Sequence, residues 1–394
     1  MWIVLIIWLI LLSIYLSIKL KFSNYKLNIK DFLKKDKSGL FLSLATKIGV
    51  GSIVGTVSSI IIGGFSSIIW MTLFSFLTTS LIYYESLLGS KYKQKYKDNY
   101  ISGPYFILKY GLNKKIISLI ALLILIILYS FLFQMVQVNT ISNSIYNILY
   151  IDKKIIFIFI IILLMLTTCL SIKDTTNLIN KIVPFKCILF IIICLFGIIT
   201  HFNELISAFN ILIKNLLTFK SIMSGLIIGI KRSIFMNEIL IGTSSISSGS
   251  DNNDLITSTR YQILGVYFIS FVLTLLVTCL IMIYFNNHYM ISDYNKLITN
   301  IFLYTNGKLG AYLIMIIFIL FGFTTLLSGY YILNTNISYL FNNKKINLLS
   351  KILFILIVSL GTILDTSTIW KYTDILIFII IIINSYSIIK LIRK

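Results

Sequence analysis

The sequence predicts an all-α integral membrane protein of about eleven transmembrane helices, two of them broken. Three observations carry that prediction. Of 394 residues, 58% are hydrophobic and 12% charged, with two prolines; a water-soluble domain of that size needs far more polar surface to cover itself. Apolar runs of about 18 residues or more recur from end to end, the length a helix needs to cross a bilayer. Two of those runs carry dense clusters of Gly, Ser and Thr, which regular membrane helices do not require.

In chain order, hydropathy places spans at about 2–20, 40–63, 66–90, 115–148, 154–172, 182–200, 221–249, 258–285, 309–341, 349–365 and 371–392. The first begins at Met1 without a basic flank or a small-residue cleavage site, so it reads as a retained helix. Several spans exceed the ~20 residues required, which predicts tilt or extension into water. The stretch HFNELISAFNILIKNLLTFK (201–220) mixes polar and apolar residues and reads as an interfacial helix.

The net charge of +21 does not indicate nucleic acid, because the basic residues lie between spans instead of forming one stripe with interleaved aromatics. Their distribution sets orientation instead. With the N-terminus outside, inner loops hold 24 Lys/Arg, Lys186 counted among them, and outer loops hold 7. The C-terminus is then cytoplasmic, and the expected location is the bacterial cytoplasmic membrane. Cys169, Cys187, Cys194 and Cys279 all fall in apolar segments without metal or redox spacing, so no metal site or disulfide framework is expected. His201 and His288 fall in polar loops.

The breaker-rich stretches decide the architecture. LATKIGVGSIVGTVSSI (44–60) puts seven Gly, Ser or Thr among the fourteen residues from Lys47 to Ile60. RSIFMNEILIGTSSISSGS (232–250) puts eight among the nine from Gly242 onward. Small residues in a membrane helix also permit close helix packing, and that reading stays open for either stretch alone. The two lie five spans apart and so run in opposite directions, the arrangement of interrupted helices in two inverted halves that marks a secondary transporter's binding site. Residues 1–38 are then a peripheral helix and loop, 39–200 the first repeat and 201–394 the second, together one membrane domain.

Glu238 is the one carboxylate placed deep in a span, beside Asn237; such a group is costly in a bilayer and points to function. Glu85 lies near an inner span end, where a helix-end or loop-lysine role is as reasonable. Gln137 and Asn139 put amides on the fourth span, facing a ligand or a neighbouring helix. Lys47 sits about nine residues, roughly 13 Å, inside its span.

Read together, these motifs resemble the alanine/glycine:cation symporter family over nearly the whole chain. Leu44 to Ile60 resembles its Gly-rich first core helix; SGPYFILKYGL (102–112) its GGPMYYIENGL-like loop; QMVQVN its NMVQAN; IVPFK its VPFMA; RSIFMNEILIG its RGxFSNEAGLG; FTTLLSGYY and VSLGTILDTSTIWKYTDIL its later core helices. The resemblance implies the leucine-transporter type of 5+5 inverted repeat and sodium-coupled uptake of a small neutral amino acid such as alanine or glycine. It implies a substrate carboxylate on backbone N–H groups around Gly49, Gly51 and Ser52, and an ammonium held by Asn237, Glu238 and Gln137. A sodium ion is expected between carbonyls near Ala45 to Ile48 and the hydroxyls of Thr324 and Thr325. Membrane lipid and the amino acid are the expected partners, for a monomer.

The departures are informative. The family's GTVGTGN is TKIGVGS here, so Lys47 replaces a threonine and Ser52 an asparagine; NEAGLGSAP is NEILIGTSS, so Leu240 replaces a glycine. Lys47 either stands electrostatically for sodium, leaving a proton-coupled or uncoupled carrier, or snorkels along a polar crevice. No catalytic residue is assigned. A membrane-embedded transferase would need paired carboxylates or basic phosphate clamps at the membrane face, and no acidic cluster supplies them. A folded remnant that has lost transport is the third alternative.

Overall fold

In hydrocarbon a backbone must satisfy its own N–H and C=O groups, so the apolar runs can persist only as helices. The computed structural model describes residues 2–26, 36–96, 99–216, 219–288 and 293–392. Lys30, Lys34, Lys35, Lys97, Arg393 and Lys394, which the orientation argument used, lie outside the described residues, as do the side chains of Lys214 and Lys220.

Helix α1 (Trp2–Lys19) precedes α2 (Ser38–Lys47), α3 (Val50–Gly63), α4 (Ser66–Leu77) and α5 (Thr79–Lys91). A β-hairpin that the sequence reading did not anticipate, β1 (Gln94–Tyr96) with β2 (Asn99–Ile101), leads to the short α6 (Pro104–Phe106). Helices α7 (Lys115–Leu125) and α8 (Gln134–Leu149) are one rod with a π-helical stretch, Ile126–Phe133, between them. Then come α9 (Lys153–Cys169), α10 (Ile172–Thr200), α11 (Phe202–Leu216), α12 (Phe219–Ser224), α13 (Leu226–Asn237) and α14 (Thr243–Gly249). Another π-helical stretch, Phe268–Leu273, joins α15 (Leu255–Tyr267) to α16 (Thr274–Asn287). The chain ends with α17 (Tyr294–Phe341), α18 (Lys344–Ser359) and α19 (Thr366–Ile392).

Among the described residues, seven helices are long and apolar enough to cross a membrane, or nine when two bent pairs count as single spans. The pairs are α2/α3, bent by 41°, and α4/α5, bent by 43°. The eleven expected spans all fall on helices, but α9 has only 17 residues and the region 221–249 is divided among α12, α13 and α14. The bend at Thr78 is a second difference. No Gly or Pro stands there; the hydroxyls of Thr78 and Thr79 bond back to the carbonyls of Phe74 and Phe76 at 2.7 and 2.8 Å, which bends helices. α17 carries its own break at Gly307 (φ 67°), so it is two helices end to end.

The long second half of α17 is the hub, packing on α8, α10, α2 and α3. Around it α14 lies against α2 and α5, and α13 against α3 and α4. The two Gly/Ser/Thr-rich segments therefore meet each other inside the bundle.

Candidate functional site

The first break falls where the sequence placed its breakers. α2 ends at Lys47, Gly49 is extended (φ −100°, ψ 178°), and α3 starts at Val50. A helix end leaves amides and carbonyls without intrahelical partners, and here side chains from other helices take several of them. Gln137 Oε1 accepts the Val50 N–H at 2.7 Å, and Thr325 Oγ1 donates to the Ala45 carbonyl at 3.1 Å. Gly49 is required by close approach: a Cβ there would fall 2.7 Å from Gln137 Oε1 and 2.8 Å from Thr325 Oγ1. Ser52 turns back onto the Gly49 carbonyl at 2.7 Å, and the Phe235 ring covers Gly51, 3.0 Å from where its Cβ would be.

The second break, between α13 and α14, is built from left-handed backbone. Glu238 (φ 54°), Leu240 (φ 55°) and Gly242 (φ 115°) are all left-handed. Leu240 stands where the family resemblance places a glycine, and its conformation shows why a glycine suits the position. The Asn384 amide braces the turn by donating to the Leu240 carbonyl at 2.7 Å.

These breaks bring Lys47 and Glu238 together. Lys47, 3% exposed, donates to Ser244 Oγ at 3.0 Å and Ser43 Oγ at 3.4 Å, and its Nζ lies 3.8 Å from Glu238 Oε2. Thr243 donates to the same carboxylate oxygen at 2.5 Å, and the hydroxyls of Thr46 and Tyr129 lie close to Glu238. Tyr129 comes from the π-helical stretch preceding α8; its counterpart before α16 supplies Ser270, which donates to Asn237 Oδ1 at 3.2 Å. Such π turns re-aim side chains at functional sites. Lys47 thus heads into a polar crevice lined by Ser43, Ser244 and Glu238. Its side chain leaves α2 toward α14, whereas the carbonyls of Ala45 and Ile48 face α17 and α10.

The ammonium at the expected cation donors belongs to Lys186 instead. Fully buried on α10, its Nζ donates to the Ile48 carbonyl at 2.7 Å and to Thr324 Oγ1 at 2.5 Å, and stands 4.7 Å from the centre of the Phe321 ring. Lys186 is therefore not an inner-loop cation: it lies inside the predicted 182–200 span, and α10 (Ile172–Thr200) carries it into the bundle. The available signal was the motif itself, IVPFK where the family has VPFMA, a lysine for a methionine.

Other expected residues are spread more widely. Asn237 is committed to Ser75 Oγ (2.7 Å), the Ser233 carbonyl (3.2 Å) and Ser270. Asn139 ties α8 to the turn before α19 through the Gly361 and Leu364 carbonyls and the Thr366 hydroxyl. Glu85, for which a helix-end or loop-lysine role is as reasonable as transport, is buried against the second break. Its Oε1 accepts the Ser245 N–H at 3.3 Å, at the positive end of α14, within electrostatic reach of Lys47 and Glu238. Glu238 is thus one of two carboxylates in this region.

Comparison with known proteins agrees with this geometry. The profile of the sodium:alanine symporter family matches residues 1–394, the whole chain. An uncharacterized transporter of Haemophilus influenzae is 23% identical over 362 residues, 88% of this chain and 75% of that protein. The amino-acid carrier protein AlsT of Bacillus subtilis is 24% identical over 250 residues, 62% of this chain and 54% of AlsT. The sodium/alanine symporter AgcS of Methanococcus maripaludis is 24% identical over 248 residues, 60% of this chain and 55% of AgcS. The alignment spans only about half the length of the latter two relatives. With the profile covering every residue and broken helices where its motifs lie, the chain has the helices of a multi-pass membrane protein and belongs to the sodium:alanine symporter family.

Proposed function

We propose that the chain is a secondary carrier of a small neutral amino acid, bound between the two helix breaks and released by alternating access. One observation carries this reading: the segments picked out by their Gly, Ser and Thr content are both broken, and the Lys47–Glu238 contact crosses between them. Broken helices at the repeat interface give a polar solute the backbone groups that an intact helix withholds. The first-turn amides of α3, at the positive end of its dipole, suit a carboxylate. Among the described residues Glu85 and Glu238 share the single ammonium of Lys47 here, so an incoming substrate ammonium improves the charge balance. Close packing around Gly49 and Gly51 favours a short side chain.

The names of relatives support the substrate class. AgcS is a sodium/alanine symporter, and a Bacillus subtilis relative is a probable sodium/glutamine symporter. We place residues 39–200 and 201–394 as inverted repeats of the leucine-transporter type, with the N-terminus outside, the C-terminus cytoplasmic and the protomer acting alone in a bacterial cytoplasmic membrane. The family's coupling ion is a separate matter. Carbonyl and hydroxyl oxygens at Ala45, Ile48, Thr324 and Thr325 suit a hard cation by type, but Ile48 and Thr324 already hold the Lys186 ammonium, so sodium does not fit between them as they stand.

Counterflow of radiolabelled alanine into proteoliposomes preloaded with unlabelled amino acid tests the reading without any driving ion. Preloaded glycine, alanine or serine should drive uptake and leucine should not. Failure of every neutral amino acid to exchange would remove the carrier assignment.

A further inference from the structure

Lys186 belongs to no part of the substrate site described above, yet it is the more deeply committed of the two buried lysines. Its side chain is fully buried, and its hydrogen bonds among the described residues go to neutral oxygens, the Ile48 carbonyl at 2.7 Å and Thr324 Oγ1 at 2.5 Å. Its third neighbour is the face of Phe321, 4.7 Å away, which offers the negative side of a ring quadrupole. No carboxylate among the described residues forms an ion pair with it. A lone ammonium in the middle of a bundle is costly, and side chains placed at that depth generally mark an ion or substrate route.

The ligands are those a small cation would use. The Ile48 carbonyl points away from α3 because the chain turns extended at Gly49, and Thr324 sits one residue before Thr325, whose hydroxyl seals the neighbouring Ala45 carbonyl. The break of α2/α3 is thus tied to α17 and α10 through one positive charge. We propose that the Lys186 ammonium is a tethered replacement for the coupling cation, so that this chain holds its first broken helix closed on α17 and α10 without sodium. The meaning of that inference for transport rests on the carrier reading, but its test reads ion binding directly.

The experiment compares thermal unfolding of the purified protein in detergent at fixed ionic strength, with sodium exchanged for choline. The native chain should unfold at the same temperature in both. Lys186→Met and Lys186→Ala, which remove the charge with and without retaining bulk, should unfold earlier in choline. Each should recover stability as sodium is raised, the signature of a ligand that binds the folded state. Sodium stabilising the native chain over choline would overturn the proposal, and so would folded variants indifferent to sodium, which would leave Lys186 as a polar plug. Should neither variant fold, alanine counterflow by the native chain decides: equal rates in sodium and choline sustain the proposal, and stimulation by sodium ends it. Loss of counterflow with the unfolding pattern intact would remove only the carrier reading.

Discussion

Lys47 and Lys186 are both buried beside the same helix break, yet each meets the cost of leaving water differently. Lys47 faces a carboxylate and two serine hydroxyls across the gap between the broken helices. Lys186 faces a carbonyl, a hydroxyl and a ring. An ammonium opposite a carboxylate leaves a group that another ammonium can claim, whereas one held by neutral oxygens fills a cation's position and offers no anion to a second one. The first arrangement is suited to exchange with a solute; the second is suited to staying in place.

The largest expected effect tests the first half of that contrast. Glu238→Gln should deprive Lys47 of its nearer counter-charge, costing about 3–5 kcal/mol and reducing alanine counterflow to background. Glu85→Gln keeps an oxygen for the Ser245 N–H, so its cost should stay near ~1 kcal/mol with counterflow reduced but measurable. Equal tolerance of the two substitutions in one uptake assay would dissolve the assignment of the exchangeable carboxylate.

A smaller effect is expected at the break that both lysines adjoin. Gln137→Leu leaves the Val50 N–H without its acceptor, worth about 1–3 kcal/mol. Gly49→Ala drives a methyl into Gln137 and Thr325, with a penalty of about 1–3 kcal/mol. Because the same break positions the Ile48 carbonyl, chemical denaturation should show both variants less stable than the native chain. A neutral result would mean that the break is not under steric control.

The effect most remote from the site comes from a buried charge outside the spans, which calibrates the comparison. Asp251, in the turn between α14 and α15, accepts from Ser258 and the Asn253 N–H. Burial pushes its carboxyl up from 3.8 to about 6, against the hydrogen bonds. A raised carboxyl favours the protonated fold, so stability should fall as pH rises from about 4 to 6, by on the order of 2–3 kcal/mol. For nearby Asp36, burial is outweighed by hydrogen bonds from Ser38 and the Asn252 N–H, and its carboxyl is lowered. Its stabilising contribution is therefore lost only below that window. Asp251→Asn should flatten the unfolding temperature between pH 4 and 6; an unchanged slope would place the titration elsewhere.

The sequence made the positions of the helices and of both principal breaks legible, because a bilayer enforces apolar length and the breaks use residues that helices in oil otherwise lack. The bend at Thr78 was not legible, since threonines bend a helix through bonds to their own preceding turn and leave no distinctive spacing. Glu85 escaped for another reason: its partner amide is Ser245, 160 residues away. Lys47 was noticed as a buried charge, but the side of α2 from which it projects depends on the turn at Ile48 and Gly49. Lys186 stood in plain view near Pro184, inside the 182–200 span, but its partners depend on how α10 packs against α2 and α17, which spacing along one helix does not give.

The tether on Lys186 has an energetic consequence. A free ion that enters with its cargo brings along the work stored in its own concentration difference; a charge bonded to the polypeptide brings none and never departs. Unless some other species moves alongside the amino acid, such a protein can only level its solute between the two compartments, and the direction of net flow belongs to whichever side holds more.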